Sequence, residues 1–196
     1  LFKAMFPNLK DKYPLNKEIY GAENADEYIR KSYHGGWCYL VKGKENKLYH
    51  NGTSADVNSL YPSMMSSESG NRFPVGYPRF WSGNEIPEKA TRNNGYFFVR
   101  IKTRFYLKKG KLPFIQIKDS LLYNRNVCLE TSDWIDKKTG IAYKYLTTSD
   151  GNKKPTSVTI TLTCTDYKLF LEHYDVEDFQ ILDGCYFNTE IGIFDE

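Results

Sequence analysis

The alternation of apolar and polar positions is clearest in the middle and the last third of the chain. Tyr96-Phe97-Phe98-Val99-Arg100-Ile101-Lys102 and Pro113-Phe114-Ile115-Gln116-Ile117-Lys118 alternate with a period of two, which predicts two strands, with Lys109-Gly110-Lys111 as a turn between them. Val158-Thr159-Ile160-Thr161-Leu162 is a β-branched run and predicts a third. After it, Thr165 is placed to cap a helix over 166–174 that carries Leu169, Phe170 and Tyr174 on one face. Phe179 to Leu182 and Cys185-Tyr186-Phe187 read as strands separated by a turn at Asp183-Gly184.

The first half is more broken. Phe2, Met5, Phe6 and Leu9 form an apolar cluster interrupted by Pro7, and Asn24 to Lys31 predicts a short polar helix. Tyr33-His34-Gly35-Gly36-Trp37 is a glycine turn flanked by aromatics, and Cys38 to Val41 reads as a strand. Gly43 to Asn51 is a polar turn region. Thr53 to Val57 reads as the end of a buried strand. Asn58 or Ser59 would cap the next helix, which has Pro62 in its first turn and Met64 and Met65 beyond it. Ser66 to Asn71 reads as a loop, and the prolines and glycine of 73–80 predict an irregular excursion. Val127 to Tyr145 suggests a charged hairpin around Trp134, and Asp150-Gly151 another turn. The class is α+β, rich in antiparallel hairpins.

Composition narrows this little. The 196 residues suit one domain, or one core with an insertion, and 40% hydrophobic residues are enough for a packed core. A net charge of +3 is too small to diagnose nucleic-acid binding. Aromatics at 16%, with 16 tyrosines, suit sheet packing and base stacking equally well. Cys38, Cys128, Cys164 and Cys185 form no C-x-x-C pair and have no histidine at zinc spacing, so reduced thiols in a cytosol are expected. No apolar run approaches the roughly 20 residues of a membrane span, and the start of the chain shows no signal-peptide pattern.

The chemistry concentrates in Asp56-Val57-Asn58-Ser59-Leu60-Tyr61-Pro62-Ser63. A carboxylate at a strand exit, followed at once by a helix start, suits a divalent cation beside a phosphate. The Asp56 carboxylate and Val57 carbonyl supply hard oxygen ligands, and the N–H groups of Asn58 to Tyr61 can face anionic oxygens. A pair of cations would stabilise the attacking and leaving oxygens of phosphoryl transfer.

D-x-x-S-L-Y-P-S resembles motif A of family B DNA polymerases. The resemblance implies that Asp56 binds both catalytic metals, Mg2+ or Mn2+, with Val57 as a further ligand. It implies that Asn58, Ser59, Leu60 and Tyr61 hold the dNTP, and that Tyr61 lies beneath the sugar where a 2′-hydroxyl would collide. Tyr33-His34-Gly35-Gly36-Trp37 resembles the Tyr-x-Gly-Gly motif that joins the exonuclease and polymerisation domains. This makes Tyr33, Gly35, Gly36 and Trp37 candidate contacts to template DNA. Leu112 to Lys118 resembles a strand of the first terminal-protein region, the insertion that protein-primed members carry after motif A. Lys118 is therefore a candidate contact to DNA and to the terminal protein, with Lys108, Lys109 and Lys111 as secondary candidates. Phe2-Lys3 with Phe6-Pro7 and Leu9 resembles the tail of the exonuclease domain, and Leu169 to Tyr174 with Asp183-Gly184 and Gly192 resembles the return from the insertion to the palm.

The implied organisation is an exonuclease-to-palm linker (1–32), the N-terminal part of a polymerase palm (33–67), the terminal-protein-region insertion (68–190) and a return to the palm (191–196). The fold expected is a partial palm with an inserted, mainly antiparallel β subdomain bearing short helices. Neither the Asp-Thr-Asp-like motif C nor the Lys-x-x-x-Asn-Ser-x-Tyr-Gly motif B occurs in 1–196. One aspartate binds a cation pair poorly, so the chain by itself is expected to incorporate no nucleotide and to hold no metal. The expected partners are DNA template-primer, dNTP and terminal protein, in the cytoplasm of a host cell. A homodimer through exposed palm edges is a further expectation. The alternative reading is a nucleic-acid and terminal-protein binding module without catalysis.

Overall fold

The structure is a computed structural model that describes residues 9–36, 40–41, 43–92, 95–116, 128–132, 134–135, 142–143, 146–147, 153–154 and 157–195. Three short helices open the described chain: α1 (Leu9–Lys12), α2 (Lys17–Tyr20) and α3 (Ala25–Arg30). Asn16 and Asn24 start α2 and α3 as side-chain caps, Asn24 accepting the Glu27 N–H at 2.9 Å. Further on come α4 (Leu60–Met65), a 3₁₀ turn (Ser67–Ser69), β1 (Phe73–Ser82), α5 (Glu88–Thr91) and β2 (Tyr96–Leu107). Two small ladders follow, β3 (Trp134–Ile135) with β4 (Ala142–Tyr143), and β5 (Leu146–Thr147) with β6 (Lys153–Lys154). The described chain closes with β7 (Val158–Thr163), α6 (Cys164–His173) and β8 (Tyr174–Glu190).

One antiparallel sheet of order β1-β8-β2-β7 organises these elements. Its two faces carry different cores, because successive side chains of β2 point opposite ways. Phe97, Val99, Ile101 and Phe105 join Ile160, Leu162, Phe170 and Tyr174 beneath α6. On the other face, Phe98 packs with Cys185, Phe187, Ala22 and Tyr28, so the helices of the first thirty residues cover the sheet there. Tyr20, Tyr28 and Phe80 meet edge to face in this layer, with Tyr28 and Phe80 5.3 Å apart.

Several sequence expectations change. The stretch 73–80 is no irregular excursion; it lies in a ten-residue strand. Its register against β8 shifts between Val75 and Arg79, where Pro78 has no N–H to donate, and an edge strand tolerates that. Asp183-Gly184 is no turn, since β8 runs unbroken from Tyr174 to Glu190. Gly184 is needed for close approach: a Cβ there would sit 2.1 Å from the Trp81 ring and 2.4 Å from the Phe98 carbonyl oxygen. Pro113 to Gln116 forms no strand. Instead, the N–H groups of Phe114 and Ile115 donate to the Tyr174 hydroxyl, and the Ile115 carbonyl accepts from Leu129. The cap of α6 is Thr163, not Thr165, with its Oγ1 accepting the Asp166 N–H at 3.1 Å. Leu169 faces outward while Phe170 is buried. Leu40 and Val41 are exposed and outside any strand. Phe2, Cys38, Ile117 and the Asp150-Gly151 turn lie outside the described residues.

Candidate functional site

Residues 51–60 are exposed throughout, and 52–57 join no ladder, so the buried strand expected before Asp56 is absent. Among the described residues no ion pair involves Asp56. Its carboxylate is open to solvent, with the exposed Val57 beside it. Ser59 occupies the position before α4, but in the left-handed region (φ 51°, ψ 41°) and with no side-chain cap. The other non-glycine residues of positive φ among the described residues are Asn46, Asn51 and Asp178, types that tolerate it. Ser59 has no such excuse, and backbone strain of this kind concentrates at functional sites. Ser63 donates to the Ser59 carbonyl at 2.9 Å, so the N–H groups ahead of that bond have no intrahelical acceptor.

Tyr61 is 80% exposed and lines a cleft of about 620 Å³ with Met64, Met65, Arg72, Phe73, Tyr96, Phe97, Thr165 and Lys168. Asp56 lies outside the lining of this cleft, so the aspartate and the ring five residues on do not share its wall. Tyr33 and Gly35 line a second cleft, of about 590 Å³, with Asp26, Arg30, His34, Phe98 and Asp166. Tyr96 belongs to both linings and separates the two. Burial, with Cys164 and Asp166 nearby, pushes its hydroxyl up to about 12, so it is a neutral donor at neutral pH. Sequence reasoning missed Tyr96, Arg72 and Lys168: each is unremarkable locally, and only the sheet brings them to Tyr61.

As metal donors the described residues offer the open Asp56 carboxylate and the Val57 carbonyl, hard oxygens suited to Mg2+ or Mn2+. Among the described residues no three His, Cys, Asp or Glu side chains gather as a ligand set. Gly36 is exposed, with open space at its Cα, which permits close backbone approach of a strand of nucleic acid. Trp37 and Lys118 lie outside the described residues. Of the secondary lysines, Lys108 donates to the Leu171 carbonyl near the end of α6 at 2.7 Å, and Lys111 pairs with Glu172 at 2.6 Å. Lys109 is exposed on the turn formed by Lys111 N–H and the Lys108 carbonyl. Among the described residues no helix is long and apolar enough to cross a membrane.

The DNA polymerase of Bacillus phage Nf is 31% identical over 98% of this chain, and that of Streptococcus phage Cp-1 is 32% identical over 100% of this chain. The chain spans 27% and 30% of those two relatives, so it is similar to a part of each. The solved structure of phi29 DNA polymerase complexed with primer-template DNA and incoming nucleotide substrates matches 71% of the chain with a TM-score of 0.51 and 28% identity, covering 20% of that polymerase. Residues 1–196 as a whole match the family described as DNA polymerase type B, organellar and viral, and the chain belongs to that family.

Proposed function

We propose that this chain contributes the motif A segment and the first terminal-protein region of a protein-primed, DNA-directed DNA polymerase. The observation that carries the proposal is the family match across all 196 residues, with Asp56 to Tyr61 open to solvent rather than spent on packing and Tyr61 lining a cleft. Asp56 and the Val57 carbonyl would hold Mg2+ or Mn2+, which supplies charge neutralisation for nucleotidyl transfer from a dNTP to a 3′-hydroxyl. A cation pair needs further anionic ligands beside Asp56. The N–H groups of Asn58 to Leu60 donate to triphosphate oxygens. Tyr61 stands beneath the sugar, and its ring excludes a 2′-hydroxyl. Tyr33, Gly35, Gly36 and Trp37 hold template, the glycines letting backbone approach phosphate and the aromatics stacking on bases. Residues 68–190, with Lys118 as the leading contact, dock DNA and the terminal protein. The protein acts in the host cytoplasm, and the chain alone incorporates no nucleotide.

A binding role for the insertion is favoured by one observation: on the face beneath α6 the sheet from β1 to β8 has a core built entirely from residues of 68–190. A self-association of the isolated chain is favoured by the exposed Leu40, Val41, Leu48, Tyr49 and Val57.

The test is made in the polymerase that carries these residues. Asp56→Ala should lower incorporation roughly a thousandfold or more, since losing several kcal/mol of metal-borne stabilisation costs about tenfold per 1.4 kcal/mol. Tyr61→Val should keep incorporation while relaxing the preference for deoxyribonucleotides. Near-normal turnover by the first variant would sink the metal role.

A further inference from the structure

We propose that Asp195 is a positioning residue for the nucleotide-facing segment Asp56 to Tyr61, holding α4 to the sheet through the N–H of Ser67. The inference rests on the reading of that segment given above.

Helix α4 buries no side chain; Leu60, Tyr61 and Met64 are all at least 47% exposed. Packing therefore does not fix its place, and hydrogen bonds must. Its last carbonyls are gathered by the following turn. The Met64 carbonyl accepts from Ser69 Oγ at 3.0 Å and Asn71 Nδ2 at 2.9 Å, and Ser66 N–H donates to the Pro62 carbonyl at 3.0 Å. That makes α4 and the Ser67–Ser69 turn one unit. The unit is joined to the far end of the chain by Asp195, whose two carboxylate oxygens accept the Ser67 N–H at 3.0 and 3.2 Å, a separation of 128 residues. Gly192, at φ 74°, makes the turn that returns Asp195 N–H to its own carbonyl. A Cβ at Gly192 would come within 3.2 Å of the Asp195 carboxylate.

Neighbouring contacts seat this clip on the β1/β8 edge. Phe194 stands edge-on to Phe73 with centroids 5.0 Å apart, and the Arg72 guanidinium donates to the Thr189 hydroxyl and carbonyl, both at 2.9 Å. Hydrogen bonds from the Ser67 side chain first, and from its backbone N–H second, hold the Asp195 carboxyl below the usual carboxylate range, so the charged form is the one that binds. A charged acceptor on a backbone N–H is about twice as strong as a neutral one.

Two independent variants remove the contact from its two sides. Asp195→Ala deletes the acceptor. Ser67→Pro deletes the donor without straining the chain, because Ser66 already has the extended ψ of 148° that precedes proline and Ser67 opens its turn. In the polymerase carrying these residues, each variant should raise the KM for dNTP about tenfold and weaken deoxyribose preference, with kcat little changed. The double variant should be no worse than either alone, since both break one bond. Asp195→Asn keeps a neutral acceptor oxygen and should recover about half of the loss. Tyr61→Val, measured alongside, separates the two ideas. If it shifts sugar preference while Asp195→Ala and Ser67→Pro leave KM and preference unchanged, Asp195 does not position the segment. If Tyr61→Val is silent but both clip variants raise KM with rescue by Asp195→Asn, the positioning role stands and the sugar role of Tyr61 falls. A KM effect that is additive in the double variant, or a loss confined to kcat and thermal stability, overturns the proposal.

Discussion

Arg100 and Asp183 face each other across the β2/β8 ladder, the Arg100 Nε lying 3.1 Å from both carboxylate oxygens. Asp183 is 1% exposed and also accepts the Tyr28 hydroxyl at 2.7 Å. Arg100 in turn reaches the Ile19 carbonyl. One buried carboxylate thus ties the helices of the first thirty residues to the middle of the sheet. Deleting it leaves a largely buried guanidinium and a buried hydroxyl without their acceptor. Asp183→Ala should lower unfolding stability by about 3 kcal/mol, read from the urea midpoint. The apolar pair Arg100→Met with Asp183→Leu should cost clearly less than Asp183→Ala alone, and a larger loss would refute this account.

At Gly184 the limit is steric. The Trp81 ring occupies the space a methyl would need, and the Phe98 carbonyl closes the other side. Gly184→Ala should cost about 1–3 kcal/mol through displacement of Trp81. The indole fluorescence should shift in the same variant. An unchanged spectrum with unchanged stability would show that the ring yields freely.

Alkaline pH should unfold the chain earlier than its charge alone suggests. Burial pushes the Tyr174 hydroxyl up to about 12, against backbone hydrogen bonds from Ile115 and Phe114 that lower it. Burial raises Tyr28 as well, with Asp183 adding to it. Each ring is neutral in the fold and ionises near 10 when unfolded. Their contribution is therefore whole below about pH 10 and is lost as pH rises from there toward 12. Unfolding followed by circular dichroism should track phenolate absorbance in that window. Tyr174→Phe should shift the alkaline midpoint upward relative to its own stability at neutral pH.

Helix α6 offers a direct contrast. Phe170 is fully buried against Phe105 and Tyr174, at 5.4 and 5.3 Å, while Leu169 is 37% exposed. Phe170→Ala should cost about 3–5 kcal/mol, and Leu169→Ala within about 1 kcal/mol. Equal costs in calorimetry would mean that the helix is rotated from the face described.

Much of the fold was legible where the signal is local. The polar run from Asn24 to Lys31 at α3, the β-branched run at β7 and the alternation at β2 each act within a few residues, and each element formed near its expected place. The failures share a cause. Asp183-Gly184 carries a turn signature, yet in β8 the glycine is required by Trp81, about a hundred residues earlier, and the aspartate by Arg100, 83 residues earlier. Pro74, Gly76 and Pro78 suggested irregularity because a strand interior forbids proline; an edge strand with a shifted register does not. Thr53 to Val57 looked buried because its composition suits a strand, but among the described residues nothing pairs with it.

The candidate site divides the same way. The string from Asp56 to Ser63 determined the family resemblance, because its chemistry depends on residue types at fixed spacing along one strand of backbone. Which side chains stand around Tyr61, and what holds its helix in place, were decided by tertiary structure alone. Tyr96, Lys168 and Asp195 reach that neighbourhood only through the β1-β8-β2-β7 order, and no local pattern encodes a strand order set by burial on two faces of one sheet.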